Sequence, residues 1–377
     1  MSISTPAPHT TAAFDIPVTA LRPARPAVPG VADPGALTAP LALRAAQAIV
    51  DAHGEDSLAP FIVRPDKSLH FVAGGVVAYR RVGRTLVVSG DPVGSPASRS
   101  RALAGLRELA GREGLRIVVY GASAARLDEY RRAGLRAICV GEEAIVDPSG
   151  FTLEGRAVRK LRQSVQRVSS RGWRIAAVDG RDVDAVLEAE IEAVEARWRL
   201  GCERVLGFSM SLGEHECGVR ANDLFLLARS PEGEVRGVMR FLSHRGNLSL
   251  DTMRRVGETP NGLNEALVCA ALTVARERGV AEVSLNYAGL AHLIRHEPDS
   301  NRLTRAIRRR GLQRLNRRFQ MERLVRFNDK FGPQWRPRYL VYESRRSLPA
   351  AVFRVLQAEG YLRESAAGRP AEGVDAR

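Results

Sequence analysis

The sequence predicts an α/β protein of two lobes with mixed sheets, joined by a basic helix. Three observations support this. The order hairpin, helix, strand occurs twice along the chain, and a run whose charges are all basic separates the two copies. The third is size: 377 residues, 45% of them apolar, can form two cores, since domains usually hold ~100–200 residues.

The first copy begins with a helix predicted around Leu41–His53 and continues into a pair of strands in HFVAGGVVAYRRVGRTLVVSGDPVG. Apolar and β-branched residues flank Val82–Arg84, which predicts a hairpin ending at Gly90-Asp91-Pro92. A helix (SRALAGLRELAGREG) and a buried strand (RIVVYGAS) complete this copy.

The second copy has the same order. Two strands flank a Pro-Glu-Gly turn, a third strand is predicted to end at Asp251, and a helix (LNEALVCAALTVARERG) precedes the strand AEVSLNYAG. We therefore predict a disordered leader at 1–38, a first lobe at 39–172 that ends in the basic helix, a second lobe at 173–362 and a disordered tail at 363–377.

The basic helix is predicted in FTLEGRAVRKLRQSVQRVSSRGW. Its spacing sets the cations on the side away from Val158, Leu161 and Val165, with no acid to compensate them. A phosphate backbone would relieve this repulsion, so we expect a tRNA-binding face; a merely solvated face more often mixes charge signs. The candidate residues are Arg156, Arg159, Lys160, Arg162 and Arg167, with Arg171 beyond them.

Net charge is +15, and most of it lies near the C-terminal end. Residues 302–346 hold fifteen Arg or Lys against three acids. A stripe of apolar residues at helical spacing, Leu303, Ile307, Leu312, Leu315 and Phe319, predicts a basic amphipathic helix there. Such a helix can lie on an anionic bilayer, contact RNA or pack its stripe into the second lobe.

Several protein classes are disfavoured. Cys139, Cys202, Cys217 and Cys269 have neither CxxC nor zinc-ligand spacing, and His292 and His296 lack an HExxH pattern, so we expect no metal and no disulfides. Neither a signal peptide nor a run of ~20 apolar residues is found, so we expect a cytoplasmic protein, peripheral at the inner face of the membrane if it meets one.

Two segments carry candidate chemistry. In SLDTMRR, Asp251 and Arg254 stand three apart, where they can form a catalytic pair or a structural salt bridge. In NDKFGPQWRPRYL, two prolines and a glycine predict a rigid loop before a strand, which presents Lys330, Arg338 and Tyr339. The chain has only three lysines among 57 basic residues, Lys67, Lys160 and Lys330, and all fall in segments of interest.

From about Leu58 to Leu362 the sequence resembles the cytoplasmic catalytic domain of the lysylphosphatidylglycerol synthases, the phosphatidylglycerol lysyl- and alanyltransferases. The landmarks are RPDKS, SGDPVG, GEEAIVDPSGFTLEGRAVRKLRQSV, EARW, GFSMSLGE, SLDTMRR, PNGLNEAL, SLNYA and KFGPQWRPRYLVYE. The 377 residues contain neither the family's multi-span flippase half nor a tRNA-synthetase domain. The resemblance implies a tandem GNAT-like acyltransferase fold and places Asp251, Arg254, Lys330 and Arg338 at activity-linked positions.

The resemblance also implies transfer of an amino acid, lysine or alanine, from aminoacyl-tRNA to phosphatidylglycerol or a related hydroxyl or amine acceptor. No cofactor is expected beyond this co-substrate, because the tRNA ester is already activated. We expect Asp251 as base or orienter, with Arg254 and Lys330 as charge stabilisers. The substrate-binding candidates are Arg338, Tyr339, Asn261, Asn286, Tyr287, Asp66, Lys67 and Asp91.

Three other functions remain open at this point. A soluble metabolite can replace the lipid as acceptor. A CoA-dependent acyltransferase can share the fold, although its pyrophosphate-binding turn has only a poor match at Arg80–Thr85, inside a predicted hairpin. A non-catalytic RNA- or membrane-binding protein would use the basic surface alone.

Overall fold

The computed structural model describes residues 39–201, 207–208, 220–289 and 321–362. Its strands are β1 (Ser68–Val72), β2 (Gly75–Val82), β3 (Thr85–Ser89), β4 (Arg116–Ser123), β5 (Arg136–Val146), β6 (Arg174–Asp179), β7 (Leu224–Arg229), β8 (Val235–His244), β9 (Asn247–Arg255), β10 (Val283–Gly289) and β11 (Gln334–Tyr342). Its helices are α1 (Ala39–His53), α2 (Pro96–Arg112), α3 (Leu127–Arg132), α4 (Arg159–Ser170), α5 (Ala185–Leu200), α6 (Leu263–Glu277), α7 (Met321–Asn328) and α8 (Leu348–Ala358).

The described strands form one mixed sheet in the order β1-β2-β3-β4-β11-β5-β10-β9-β8-β7-β6. The duplicated order predicted from the sequence is present, because each half contains one parallel pair: β3 with β4, and β9 with β10. We call these pairs the first seam and the second seam. Since β4 and β10 are both linked through the antiparallel strands β11 and β5, the two seams run in opposite directions.

The C-terminal strand β11 does not lie in the second half of the sheet. It lies between β4 and β5 and forms antiparallel ladders with both. The predicted limit at residue 172 falls in the connection between α4 and β6, but in space the last described strand completes the first half. The sheet is continuous across the two halves, because β5 also pairs with β10.

Helices cover both faces of the sheet. On one face, which we call the α6 face, α4 and α6 pack on β7–β10 and α2 packs on the strands of the first half. The opposite face, the α5 face, is covered by α5 in the second half, by α8 in the first half and by α1 near β2. Side chains alternate between the faces along each strand, so Met239 and Phe241 contact the α6 cluster while Val238 belongs to the α5 cluster.

The basic helix α4 rests on the N-terminal end of α6. Leu161, Val165 and Val168 form its buried face, in agreement with the predicted spacing. The contact is close at Gly262, where φ is +98° and a Cβ would stand 2.7 Å from the Cβ of Ser164. Only glycine accommodates both the left-handed backbone and this approach.

Three local predictions need correction. The first hairpin is a three-stranded meander, since a turn at Ala73–Gly74, with positive φ at both residues, separates β1 from β2. The third strand of the second copy, β9, does not end at Asp251 but continues to Arg255. The segment after α7, predicted as a non-helical loop, is a 3₁₀ helix at Asp329–Phe331 and a loop only at Gly332 and Pro333, because Gln334–Tyr342 is already strand.

Some predictions fall outside the described residues. These are the leader, the tail, the apolar stripe from Leu303 to Phe319, and His292, His296, Cys202 and Cys217. Within the described ranges, no helix is long and apolar enough to cross a bilayer.

Candidate functional site

The second seam opens after only two residue pairs. Val283 pairs with Leu248 and Ser284 with Ser249, after which β9 and β10 separate. The register of β10 against β5 shifts at the same point, and Asn286 adopts a left-handed conformation with φ of 82°. Ligands of α/β sheets bind where parallel strands part at their carboxyl ends, so this opening is the first candidate for a binding site.

The side chain of Asn286 spans the opening. Its Nδ2 donates to the Leu250 carbonyl on β9 at 3.3 Å, and its Oδ1 accepts from the Tyr287 N–H at 2.8 Å. The next residue, Tyr287, is buried and packs edge-to-face on Tyr120 with ring centroids 5.7 Å apart. Burial is the main reason that the pKa of Tyr287 is raised above its usual value. The structure therefore brings two predicted substrate-binding residues to the opening.

Asp251 lies beside this opening, on a β-bulge. Arg240 of β8 pairs with Thr252 and Phe241 pairs with Leu250, which leaves Asp251 as the extra residue of β9. Its Oδ2 is 3.7 Å from Nε of Arg240, whereas its Oδ1 is buried and accepts no hydrogen bond from the described residues. A buried carboxylate oxygen without a donor is costly in a folded protein, so it marks a position where a ligand can donate.

Arg240 also holds a second carboxylate. Its Nε donates to Asp223 at 2.9 Å, and its guanidinium lies 5.6 Å from the centre of the Phe225 ring on the α5 face. Burial raises the pKa of Asp223 more than the attraction of Arg240 lowers it. One guanidinium is thus shared between two buried acids.

Arg254 does not pair with Asp251 as their spacing suggested. Its Nε donates to Oε2 of Glu195 on α5 at 3.3 Å, and its guanidinium carbon lies 3.5 Å from the centre of the Trp198 ring. The bulge at Asp251 changes the side-chain phase between the two positions, so they take different partners. Arg254 is a buried cation held flat against an aromatic ring on the α5 face.

Lys330 lies on the other face of the sheet. Its Nζ donates to Oε1 of Glu265 in the first turn of α6 at 2.7 Å, and its side chain is 40% exposed. Asn261, just before α6, is exposed and accepts a 3.1 Å hydrogen bond from Arg167 of α4 through its carbonyl. Lys330 and Asn261 therefore border the basic helix and do not join Asp251 and Arg254.

Arg338 lies on β11 near the middle of the sheet, level with the carboxyl ends of β4 and β10, and its guanidinium is buried among protein acceptors. Nε donates to Glu143 at 2.9 Å, Nη1 to Asp56 at 2.8 Å and Nη2 to Ser57 at 2.7 Å. Burial alone would lower the pKa of Arg338, but Asp56 and Glu143 raise it above its usual value. Tyr339, across a bulge, points to the α2 cluster instead.

A cavity of about 320 Å³ adjoins Arg338. Asp56, Ser57 and Ser284 line it together with His244, whose Nε2 is 3.0 Å from Oγ of Ser249. Arg338 donates both to Asp56 and Ser57, which follow α1, and to Glu143 on β5. It therefore fixes the chain after α1 to the centre of the sheet.

Asp66 and Lys67 form a buried cluster of their own. Asp66 contacts Arg80 at 2.6 Å and both Arg64 and Lys67 at 3.3 Å, while Nζ of Lys67 also donates to the Phe61 carbonyl at 3.0 Å. Burial lowers the pKa of Lys67 to about 8. Burial would raise the pKa of Asp66, but its three cationic neighbours lower it overall.

Asp91 closes the end of the first seam. Its Oδ1 accepts from the Tyr130 hydroxyl at 2.8 Å and its Oδ2 from the Ser123 N–H at 3.0 Å. Burial, and then the nearby charge of Asp56, raise its pKa to about 6. Both carboxylate oxygens of Asp91 thus have donors, unlike those of Asp251.

Comparison with known proteins identifies the family. The sequence profile described as "Phosphatidylglycerol lysyltransferase, C-terminal" matches residues 47–342. The chain belongs to this phosphatidylglycerol lysyltransferase family. The chain is also 33% identical over 316 residues to the "Lysylphosphatidylglycerol biosynthesis bifunctional protein LysX" of Rhodococcus jostii, and 34% identical over 319 residues to that of Nocardia farcinica. Each match covers 82% of this chain but 28% of the relative, so the chain spans less than a third of these proteins' length.

Solved structures agree with the fold. The C-terminal domain of a protein assigned as a lysylphosphatidylglycerol synthetase from Agrobacterium fabrum superposes with a TM-score of 0.72 at 25% identity, covering 87% of this chain and 99% of that one. L-PGS from Bacillus licheniformis superposes with a TM-score of 0.70 at 24% identity, covering 84% and 96%. The mixed α/β fold expected from the sequence is thereby confirmed.

In this member of the family, the charged residues on the outer face of the helix α4 are all basic. Of the residues proposed to bind tRNA, all are exposed: Arg156, Arg159, Lys160, Arg162 and Arg167. Arg162 additionally donates to the Leu153 and Gly155 carbonyls at 2.6 and 3.1 Å, which anchors the loop before α4. Arg167 donates to the Asn261 carbonyl at 3.1 Å, and Arg156, Arg159 and Lys160 are exposed to solvent.

Sequence reasoning missed the partners of the predicted residues in this family member. Asp223 and Arg240 were not singled out, although each is a charged residue beside or within an apolar strand (NDLFLLA and VMRFL), which is an available signal. Glu195 and Trp198 lie in the landmark EARW without an assigned role. Nothing in the sequence pointed to the contact of Arg338 with Asp56, since distant parts of the chain form it.

Proposed function

We propose that this chain transfers an aminoacyl group, lysine or alanine, from aminoacyl-tRNA to a hydroxyl of phosphatidylglycerol. The observation that carries the proposal is the Asp251 Oδ1 atom at the opening of the second seam, which accepts no hydrogen bond from the described residues, in a member of the phosphatidylglycerol lysyltransferase family. The relatives' names include lysylphosphatidylglycerol biosynthesis, which supports the lipid as acceptor.

The chemistry is an ester exchange. The acceptor oxygen forms a bond to the aminoacyl carbonyl carbon, the bond from that carbon to the tRNA ribose oxygen breaks, and the acceptor's proton passes to the released ribose oxygen. The tRNA ester is already activated, so no cofactor is needed. What the protein must supply is proximity, a proton acceptor and stabilisation of the developing oxyanion.

Asp251 and Arg254 supply these functions in the proposal. Oδ1 of Asp251 accepts the hydrogen bond of the attacking hydroxyl and orients it, while Arg240 holds the other oxygen and keeps the carboxylate fixed. The Arg254 guanidinium, held flat by Trp198, is a fixed positive charge on the same face. Asn286 joins the two strands at the opening through its hydrogen bond to the Leu250 carbonyl, which fixes the position of Asp251, the next residue of β9.

The tRNA is proposed to bind on the α6 face. The exposed cations of α4 contact its phosphates, and Lys330, beside α6, extends this surface. In this arrangement Lys330 acts in tRNA binding and not in the chemical step. Arg338 and Asp91 act as positioning residues, because the protein itself engages their polar atoms.

An aminoacyl-transfer assay tests the proposal. Purified protein is mixed with lysyl- or alanyl-tRNA carrying a labelled amino acid and with phosphatidylglycerol vesicles, and label is followed into the organic phase. We expect lipid-bound label that disappears when the tRNA is first digested with RNase. Label that leaves tRNA only with a soluble extract would make the acceptor a metabolite, and no consumption of any charged tRNA would refute the transferase.

The tRNA surface has a matched test. Replacing Arg159 and Lys160 with glutamine should raise the KM for aminoacyl-tRNA, leave kcat unchanged and reduce the slope of log affinity against log salt by about 1 per lost phosphate contact. Arg101→Gln with Arg107→Gln, exposed arginines on α2, is the control. A salt slope for the α4 variant equal to that of the wild type would exclude α4 as the tRNA surface.

A further inference from the structure

Helix α8 is apolar on both sides. Ala351, Val355 and Ala358 face inward, in the same cluster as Tyr287 of the candidate site. On the outside, Val352 is 38% and Phe353 is 48% exposed, and Pro349 and Ala350 at the start of the helix are exposed as well. A surface helix normally has a polar outer face, so an outer face of this kind needs an apolar partner.

The edge of the sheet next to α8 is strongly basic. The turn between β2 and β3, the starts of β4 and β5 and the end of β11 meet there, because Thr85 pairs with Arg116 and Tyr342 pairs with Arg136. Arg354 of α8 lies against this turn at Gly83 and within 5.6 Å of the Phe353 ring. The exposed arginines at this edge are Arg81, Arg84, Arg112, Arg116, Arg136, Arg345 and Arg346.

Few acids compensate this charge among the described residues of the edge. Glu113 pairs with Arg81 at 3.0 Å, and Glu343 accepts the Ile117 N–H at 3.0 Å. Exposed apolar side chains bordered by arginines match an anionic bilayer, whose headgroups attract the cations while its acyl region takes up the apolar side chains. RNA would match the arginines but not Val352 and Phe353.

We propose that the outer face of α8, with Arg345 and Arg346, is the surface that docks this protein on an anionic lipid bilayer. The inference rests on the proposed function in one respect: it names the surface through which the enzyme meets its lipid. This surface and the proposed tRNA surface lie on opposite faces of the sheet, since α8 covers the α5 face and α4 covers the α6 face. Bilayer and tRNA can then be bound at the same time.

Vesicle flotation without RNA tests this surface. The full chain is mixed with vesicles of equal parts phosphatidylglycerol and phosphatidylcholine, or of phosphatidylcholine alone. We expect binding to the anionic vesicles only, and weakening by high salt. Val352→Ser with Phe353→Ser should reduce the partition coefficient about tenfold. Arg345→Gln with Arg346→Gln should reduce it about fivefold per charge at low salt.

Val186→Ser on α5 is the matched control. Val186 is exposed and apolar, but α5 covers the second half of the sheet, whereas the exposed arginines next to α8 border the first half. It should bind vesicles within about twofold of the wild type. Thermal unfolding of every variant guards against misfolding. If the α8 variants bind anionic vesicles as the wild type does, the inference is overturned. A loss of tRNA retention in the arginine variant without a loss of vesicle binding would also overturn it and make this edge an RNA surface.

The inference and the proposed function fail differently. Transfer to a headgroup analogue without acyl chains, glycerophosphoglycerol, needs no bilayer and should continue in the α8 variants. Vesicle binding through α8 in a protein that transfers nothing would support the surface and refute the transferase. Transfer in detergent by a protein that does not bind vesicles would support the transferase and refute the docking surface.

Discussion

The two seams of the sheet are built alike and end differently. Each contains a strand with one residue in the left-handed region, Gly121 with φ of 84° on β4 and Asn286 with φ of 82° on β10. The first seam keeps five parallel pairs and is extended by a hydrogen bond from the Gly90 N–H to the Tyr120 carbonyl. The second seam keeps two.

The carboxylates show the same contrast. Asp91, at the end of the first seam, receives a donor on each oxygen, whereas Asp251 at the second seam has one oxygen that receives none from the described residues. Within the part of the chain that the structure describes, side chains close the first half of the duplicated sheet and leave the second half open at Asp251. The opening, more than the presence of an acid, distinguishes a candidate reaction site from a structural one.

The largest effect expected from this contrast is on catalysis. Asp251→Asn keeps the size of the side chain but removes the proton acceptor, so kcat should fall ~10²–10⁴-fold while thermal unfolding is little changed. Asp91→Asn should instead act on stability and leave turnover per folded molecule near that of the wild type. Equal loss of turnover in both variants would contradict the assignment of Asp251 to catalysis and of Asp91 to stability.

A smaller effect is expected on the pH dependence of stability. The pKa of Asp91 is raised from 3.8 to about 6, so the folded state holds this proton more tightly than the unfolded state. Its contribution to the free energy of unfolding is therefore present below about pH 4, is lost as pH rises to about 6, and amounts to at most about 3 kcal/mol. Urea unfolding of wild type and Asp91→Asn across this range should diverge by that amount, and parallel curves would contradict it.

The smallest effect concerns the left-handed residue of the open seam. Asn286→Gly and Asn286→Ala both lose the hydrogen bond to the Leu250 carbonyl, but only alanine is strained at φ of 82°. The alanine variant should be about 1 kcal/mol less stable than the glycine variant in urea unfolding. If the two variants are equally stable, the left-handed backbone is not imposed at this position.

The sequence was sufficient for the elements and their order, because alternation, apolar helix faces and turn residues are local signals. It was also sufficient for the exposed basic face of α4, which depends on spacing within one helix. The sequence did not reveal that Asp251 and Arg254 have different partners, since Asp251 is the extra residue of a bulge and no pattern in SLDTMRR indicates it. The position of β11 was equally inaccessible, because strand order is decided by packing between distant segments.

The positions of single candidate residues were also predicted only in part. Asp251, Asn286 and Tyr287 were chosen from sequence landmarks, and the structure gathers them at one opening. Lys330 was chosen on the same grounds and lies on the other face, beside Glu265. A motif identifies residues that matter but does not state which side of a sheet they reach.

The insertion of β11 between β4 and β5 also constrains how the chain is made. Strands β4 and β5 leave the ribosome early, yet the strand that joins them is among the last to be synthesised. At ~5–20 residues per second, the first half waits roughly 10–40 s with two unpaired strand edges exposed. Its amino-terminal part cannot complete its sheet as an isolated fragment, so truncation before Gln334 should yield an aggregating product and not a smaller stable domain.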